Sequence, residues 1–361
     1  MTFYQMLQCN VKTLKQFIDT SKTIQEKRKY TFALIIKDIL CVAFCFLFVS
    51  LFSMIFHPTN SVAGVMILLA ILSIRFVDFH YNIHQNYLSL FIIFLIEAIS
   101  PHFSYMFPLP ISFLIHCLSL LTIIILSCYK VDYAHHYTFV LGYILLWGND
   151  VQGTDYILRC LGLMFGACLI IAIVFHQHRH KQHDKTLSHV IQEFFQNNQR
   201  TKWQLQLCTL IALTMCIGTF LGYPRTMWIC FACLSLTSFD KEQHHFKSLR
   251  RAPYVVMGCV IFTLMMFILP AQYLPYVGII GGLCVGVSAS YGWQTAFNCF
   301  GALAVTVGLF GIQGAIILRI VSNVIGTIIT YLYDHIFHWI YNFMLILRRC
   351  FIKQLSSFTE L

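Results

Sequence analysis

Gln313-Gly314-Ala315-Ile316-Ile317-Leu318-Arg319-Ile320-Val321-Ser322-Asn323-Val324-Ile325-Gly326 sits near the end of the last apolar stretch of the chain. Nearly the same words occur in mid-chain, where Gln152-Gly153 is followed by Ile157-Leu158-Arg159, Gly162 and Gly166. In both places an arginine is followed by a small residue at +3 and glycine at +7. At helical spacing these positions share one face. Each stretch therefore predicts a helix with an arginine on a stripe of small residues. A charge inside an apolar segment is costly, so it needs a partner or a watery cavity and marks a functional site. The plain alternative is an arginine that packs or snorkels near a helix end.

The rest of the composition sets the class. The 361 residues are 58% hydrophobic and only 11% charged, with a mean hydropathy of +0.72, against about 25% charged in soluble domains. The chain reads as an all-α polytopic membrane protein. At about 20 apolar residues per crossing, it has room for about twelve transmembrane helices and no large soluble domain. The net charge of +10 lies in loops and tails, as the membrane explains, so no nucleic-acid partner is expected. Residues 1–30 are polar and basic and offer no cleavable signal peptide. The 15 cysteines are scattered through apolar stretches. Cys230 and Cys233 have CxxC spacing but no second pair, so they read as reduced core residues rather than zinc ligands.

In chain order, residues 1–30 read as a cytoplasmic amphipathic segment, with Phe3, Leu7, Val11, Leu14 and Ile18 at helical spacing. Six spans follow within 31–176: about 32–56, 60–76, 86–100, 109–128, 135–148 and a sixth ending near His176. Residues 177–203 form the one long hydrophilic interval in the interior and read as a cytoplasmic linker. Val190, Phe194 and Phe195 suggest a surface helix there. Six more spans fill 204–334: about 205–222, 226–238, 254–269, 274–289, 293–310 and one from near Gln313 to Asp334. Residues 335–361, basic at Arg348, Arg349 and Lys353, read as interfacial or cytoplasmic. With the N-terminus inside, the cytoplasmic connections carry the basic residues, except that after the tenth span (Ser288 to Trp293), which has none, and the opposite ones hold a single arginine, Arg225. The expectation is a multi-pass protein of the cell membrane with both termini cytoplasmic.

The two arginine patterns, about 160 residues apart, are matched by Asp78 with its histidine-bearing loop and Asp240 with His244 and His245. Two units of six spans insert with the same orientation, as parallel six-helix repeats about an axis along the membrane normal. Arg251 with Gly258 repeats the Arg-to-Gly spacing once more. Gly278, Gly282, Gly286 and Ser290 recur four apart and, with Gly166, Gly258 and Gly326, read as helix-packing positions.

Six-span units, a charged loop after the second span, an arginine leading a span with glycine at +7, and duplication together resemble the fusaric-acid-resistance and aromatic-acid-exporter superfamily. That superfamily is similar in its membrane part to plant aluminium-activated malate channels. The resemblance is closest over about 205–335, where Gly326-Thr327 fits the pattern, while Gly258-Cys259 and Gly166-Ala167 depart from it. It implies export of organic anions, often aromatic carboxylates, driven by the proton gradient.

The residues themselves suggest how. Glu97 in the third span lies at about the depth of Arg159, and opposite charges at one depth can pair. The matching region of the ninth span, Met265 to Leu269, is apolar, which leaves Arg319 without an acid. Arg319 is therefore the first candidate for a small anionic substrate, through bidentate hydrogen bonds. Arg159, Arg225, Gln313 and Gln152 are further candidates, and Glu97 is the coupling or gating element. The linker histidines His176, His178, His180 and His183 are spread around a helix, so no metal and no cofactor is expected. No Walker loop, HExxH or GxSxG is present, and Asp78, His80 and His84 are the best set a membrane transferase could use; the expectation is not an enzyme. The partners expected are the lipid bilayer, the anion, and a homodimer or membrane partner. The alternative function is a non-transporting subunit of envelope assembly or synthesis.

Overall fold

The structure is a computed structural model that describes residues 2–75, 77–196 and 199–359, with side chains through 341 save 241, 271, 274 and 275. Every regular element among the described residues is helical. In order these are α1 (Phe3–Gln8), α2 (Val11–Thr20), α3 (Ile24–Phe56), α4 (Ser61–Ile74), α5 (Ile83–Phe103), α6 (Leu109–Ser127), α7 (His135–Trp147) and α8 (Thr154–His178). Then come α9 (Leu187–Phe195), α10 (Gln199–Phe220), α11 (Met227–Leu236), α12 (Lys241–Ile268), α13 (Val277–Val287) and a final helix, Tyr291–Thr359. Gly311 breaks that last helix (φ 68, ψ 172), a conformation essentially open only to glycine. It divides the helix into α14 (291–310) and α15 (312–359).

The chain reverses at this break. Tyr291 and Asn323 both reach the guanidinium of Arg251, although an unbroken helix would hold them about 48 Å apart. So α14 and α15 run side by side, antiparallel.

Among the described residues seven helical stretches are long and apolar enough to cross a membrane: Ile24–Phe56, Ile83–Met106, Leu109–Ser127, Thr154–His178, Gln199–Phe220, Glu242–Ile268 and Tyr291–Tyr341, the last of them folded back on itself at Gly311 as α14 and α15. This is a polytopic helical membrane protein. Fewer helices reach spanning length than the twelve expected. Hydropathy along the sequence counts apolar residues whether or not they are helical. At α11 the turn through Pro224 and Arg225 takes the first residues, leaving a helix of 10, or about 15 Å against a hydrocarbon core of about 30 Å. Pro58–Ile74 and Val277–Val287 are likewise short, as is α7 with 13 residues.

The apolar stripe of residues 1–30 is used for packing. Met6 and Leu14 are buried against Ala33 and Leu34 of α3, with Val11 and Ile18 beside them. α3 starts eight residues before the expected span, at Ile24, capped by Thr23. Val190 of α9 is buried, as its pattern suggested. The last helix continues past 334 to 359 without a break, and the side chains of Arg348, Arg349 and Lys353 lie outside the described ones. Among the described residues two of the buried clusters are large. The larger takes residues from α3 through α11, crossing the linker to bury Leu207, Met215, Met227 and Trp228. The smaller lies among α12, α13, α14 and α15, around Cys259, Phe262, Phe300 and Leu303.

Candidate functional site

The α8 helix begins directly after Gly153 (φ 63), and its first turns carry Arg159 inward, 3% exposed. Its Nε donates to Asn60 Oδ1 at 3.0 Å. Nη1 donates to the carbonyls of Asn149 at 2.7 Å and Leu146 at 3.4 Å, and Nη2 to that of Thr59 at 3.4 Å. Leu146 belongs to the last turn of α7 and Asn149 follows its end. The last carbonyls of a helix have no partner within it, and its C-terminus favours a cation. Arg159 thus satisfies a helix end and the turn before α4. Asn60 in turn donates to the carbonyls of Phe56 and Asp155.

The pairing of Glu97 with Arg159 is not formed. Glu97 is buried in α5, and neither carboxyl oxygen meets a hydrogen-bond partner. It faces α7 at Gly142, where a β-carbon would sit 3.0 Å from Oε1. The arginine's face of α8 looks toward helix ends rather than toward α5's carboxyl.

Arg225 stands just before α11 with a left-handed backbone (φ 59). Its Nη1 donates to Asn149 Oδ1 at 3.3 Å. Asn149 therefore joins two of the expected arginines: its backbone carbonyl takes Arg159 and its side chain takes Arg225. Met227 packs against Gly148 beside them. This contact links the α7–α8 turn to the α10–α11 turn.

Arg319 on α15 is 7% exposed. Its guanidinium lies over the Trp228 ring, 4.9 Å from the centroid, and its buried Nε meets no hydrogen-bond acceptor. Cys299 of α14 is beside it. One turn on, Asn323 donates to the Arg319 carbonyl and accepts Arg251 Nε at 3.0 Å. The Arg251–Asn323 bond repeats the Nε-to-Oδ1 geometry of Arg159–Asn60. Asn60, Asn149, Asn323 and Trp228 were not singled out in the sequence; an amide in or beside an apolar stretch is the signal that points to the first three.

The two glutamines part company. Gln152 is exposed and lines a cleft of about 320 Å³ with His102, Tyr105, Met106, Asp150 and Gly153. There His102 Nδ1 lies 2.9 Å from Asp150 Oδ1 and its ring stacks on Tyr156. Gln313 is exposed beside the Gly311 break, outside that cleft.

The small residues sort by neighbour. Gly166 lies against Ile67 of α4, and Gly326 against Ala232 and Ile229 of α11. Gly258 lies against the Ala296 backbone. Gly278 faces Gly301 of α14, whereas Gly282 and Gly286 face Val42 and Asp38 of α3.

At the other end of α8, the chain returns to the turn after α4. Lys181 Nζ lies 3.0 Å from Asp78 Oδ1, and His183 Nε2 lies 2.5 Å from Asp78 Oδ2. Burial pushes the Asp78 carboxyl up, but Lys181, by hydrogen bond and charge, and His183 outweigh it and hold the pKa at about 2. His84 is not in this cluster; its backbone N–H instead meets the Asn82 side chain at the start of α5.

Helices of spanning length around buried arginines define a polytopic membrane protein. Residues 211–333 match the family described as Fusaric acid resistance protein-like. The matched stretch, from within α10 to within α15, is thus similar to that family. No curated protein and no solved structure matches the chain.

Proposed function

We propose that the chain is a secondary transporter, an exporter or channel-like protein, for organic anions such as aromatic carboxylates, driven by an ion or proton gradient. The observation that carries this reading is Arg319. A buried guanidinium without an acceptor at Nε, lying on an indole, offers both parts of such a substrate a place. The carboxylate takes the N–H groups, and the aromatic ring takes apolar surface near Trp228. The family match of residues 211–333 supports an efflux-related role. Arg159, already satisfied by Asn60 and three carbonyls, is a structural arginine. Arg225 at the Asn149 contact and Gln152 at the cleft are candidates for an anion-attracting mouth. Glu97, buried without a partner, is the candidate proton carrier of the coupling.

In the same reading the short helices complete twelve crossings, arranged as two parallel six-helix repeats in the cell membrane with both termini cytoplasmic. Gly166 on α4 and Gly326 on α11 support the repeat: in each half the +7 glycine of the last helix packs on the second helix. The test is efflux of a labelled aromatic carboxylate from proteoliposomes. Losing one hydrogen bond to a charged group, about 1.5–3 kcal/mol, lowers flux by about tenfold or more in Arg319→Gln. Wild-type flux in that variant removes the substrate role. Absence of flux for every anion tried favours the non-transporting subunit.

A further inference from the structure

We propose that Asp78, His80 and His183 form a site for a divalent transition-metal ion, with Zn²⁺ as the best fit. The linker histidines do not gather among themselves. Instead the fold brings one of them, His183, onto the turn between α4 and α5. One ligand atom from each of the three side chains lies within 4.8 Å of the others. The Asp78 side chain is fully buried, and His183 is 19% exposed.

Three further features single this cluster out from an ordinary ion pair. His80 Nε2 is buried and meets no hydrogen-bond partner, which is costly for a polar ring atom unless something else occupies it. The His80 backbone is left-handed (φ 61), a conformation unfavourable for a residue with a β-carbon. Its ring is held by stacking on Tyr133, 4.5 Å between centroids. The residue is thus fixed in an unfavourable backbone with an unused nitrogen beside a carboxylate.

The donor set decides the ion. Two imidazoles and a carboxylate suit zinc, which takes three protein ligands and a water when its fourth position is open. Bonds of about 2.0–2.1 Å in a tetrahedron put ligand atoms about 3.3 Å apart. The His183–Asp78 separation of 2.5 Å therefore opens by less than 1 Å. His183 belongs to the non-helical segment between α8 and α9, which can make that shift. Lys181 holds Oδ1, is 41% exposed, and can leave Oδ2 to the metal.

The experiment uses the full chain in detergent, stripped with EDTA and titrated with Co²⁺ followed by visible absorption, then with Zn²⁺ in competition. The expected result is one Co²⁺ per chain with a tetrahedral spectrum, displaced by Zn²⁺. His183→Ala and His80→Ala each weaken binding at least tenfold, and His176→Ala, a change at an exposed histidine of α8, leaves it unchanged. His183 lies outside any helix, so its variant reports even if His80→Ala does not fold. Lack of stoichiometric uptake, or uptake insensitive to His183→Ala, overturns the site.

Discussion

Arg159 and Arg319 show how far one residue type in one pattern can diverge. Both sit on a stripe of small residues and both are buried. Arg159 is surrounded by acceptors, whereas the buried Nε of Arg319 has none. The substitution Arg159→Met leaves Asn60 and three carbonyls short of donors, so it destabilises the protein by at least about 1–3 kcal/mol, the cost of one buried acceptor left unsatisfied. Lysine does not restore it, because a single ammonium cannot span Asn60 and both helix ends. Arg319→Met leaves only the Cys299 sulfur short of a donor and loses far less stability. Thermal unfolding in detergent measures both; equal losses would mean the two arginines share a role. The arginines were legible because charge in an apolar run is rare. Their partners were not. Asn60 is 99 residues from Arg159, and an asparagine carries no periodic signature.

At the scale of the element, the glycines make the same point about geometry. Gly278, Gly282 and Gly286 look like one stripe in the sequence. Four residues advance a helix by about 400°, or 40° beyond a full turn. Two such steps carry the stripe through about 80°, enough to move it from one neighbour to another. Hence Gly278 faces α14 while Gly286 faces Asp38 of α3. Gly258 is the tightest of the expected packing positions in backbone terms, because an added β-carbon meets the Ala296 backbone, which cannot rotate away. Gly258→Ala therefore lowers the melting temperature well below that of wild type. Gly278→Ala, whose β-carbon would sit 3.6 Å from the Gly301 Cα, changes it little. The reverse order in a melting experiment would place the close approach elsewhere. The Gly311 break fell where the sequence put the boundary between its last two spans. The two Gln-Gly pairs differ in backbone: Gly153 has a positive φ, but in the second half that residue is Gly311 rather than Gly314.

For the whole molecule, the polar interval 177–203 is a break in hydropathy but not in packing. The larger core passes across it and closes with Leu207, Met215 and Trp228. Two fragments, 1–196 and 199–361, therefore each expose a large apolar surface when alone. Co-expressed, they copurify through detergent as one complex; separately, each is degraded or aggregates. Stable accumulation of the first fragment by itself would mean that α10 and α11 are dispensable to that core. Hydropathy could not reveal this, because burial between helices and burial in lipid use the same residues. What composition did settle was the class, since so few charges leave no soluble alternative.

The bridge at Asn149 has two arms of different chemistry. Arg159 grips a peptide carbonyl, which any residue at that position supplies, whereas Arg225 grips the amide of the side chain. Evolution can therefore retune the second arm without loosening the first. An aspartate at 149 turns that arm into an ion pair and a leucine releases it, while the anchor to α8 persists. Such a joint behaves as a clasp with one fixed jaw and one adjustable jaw.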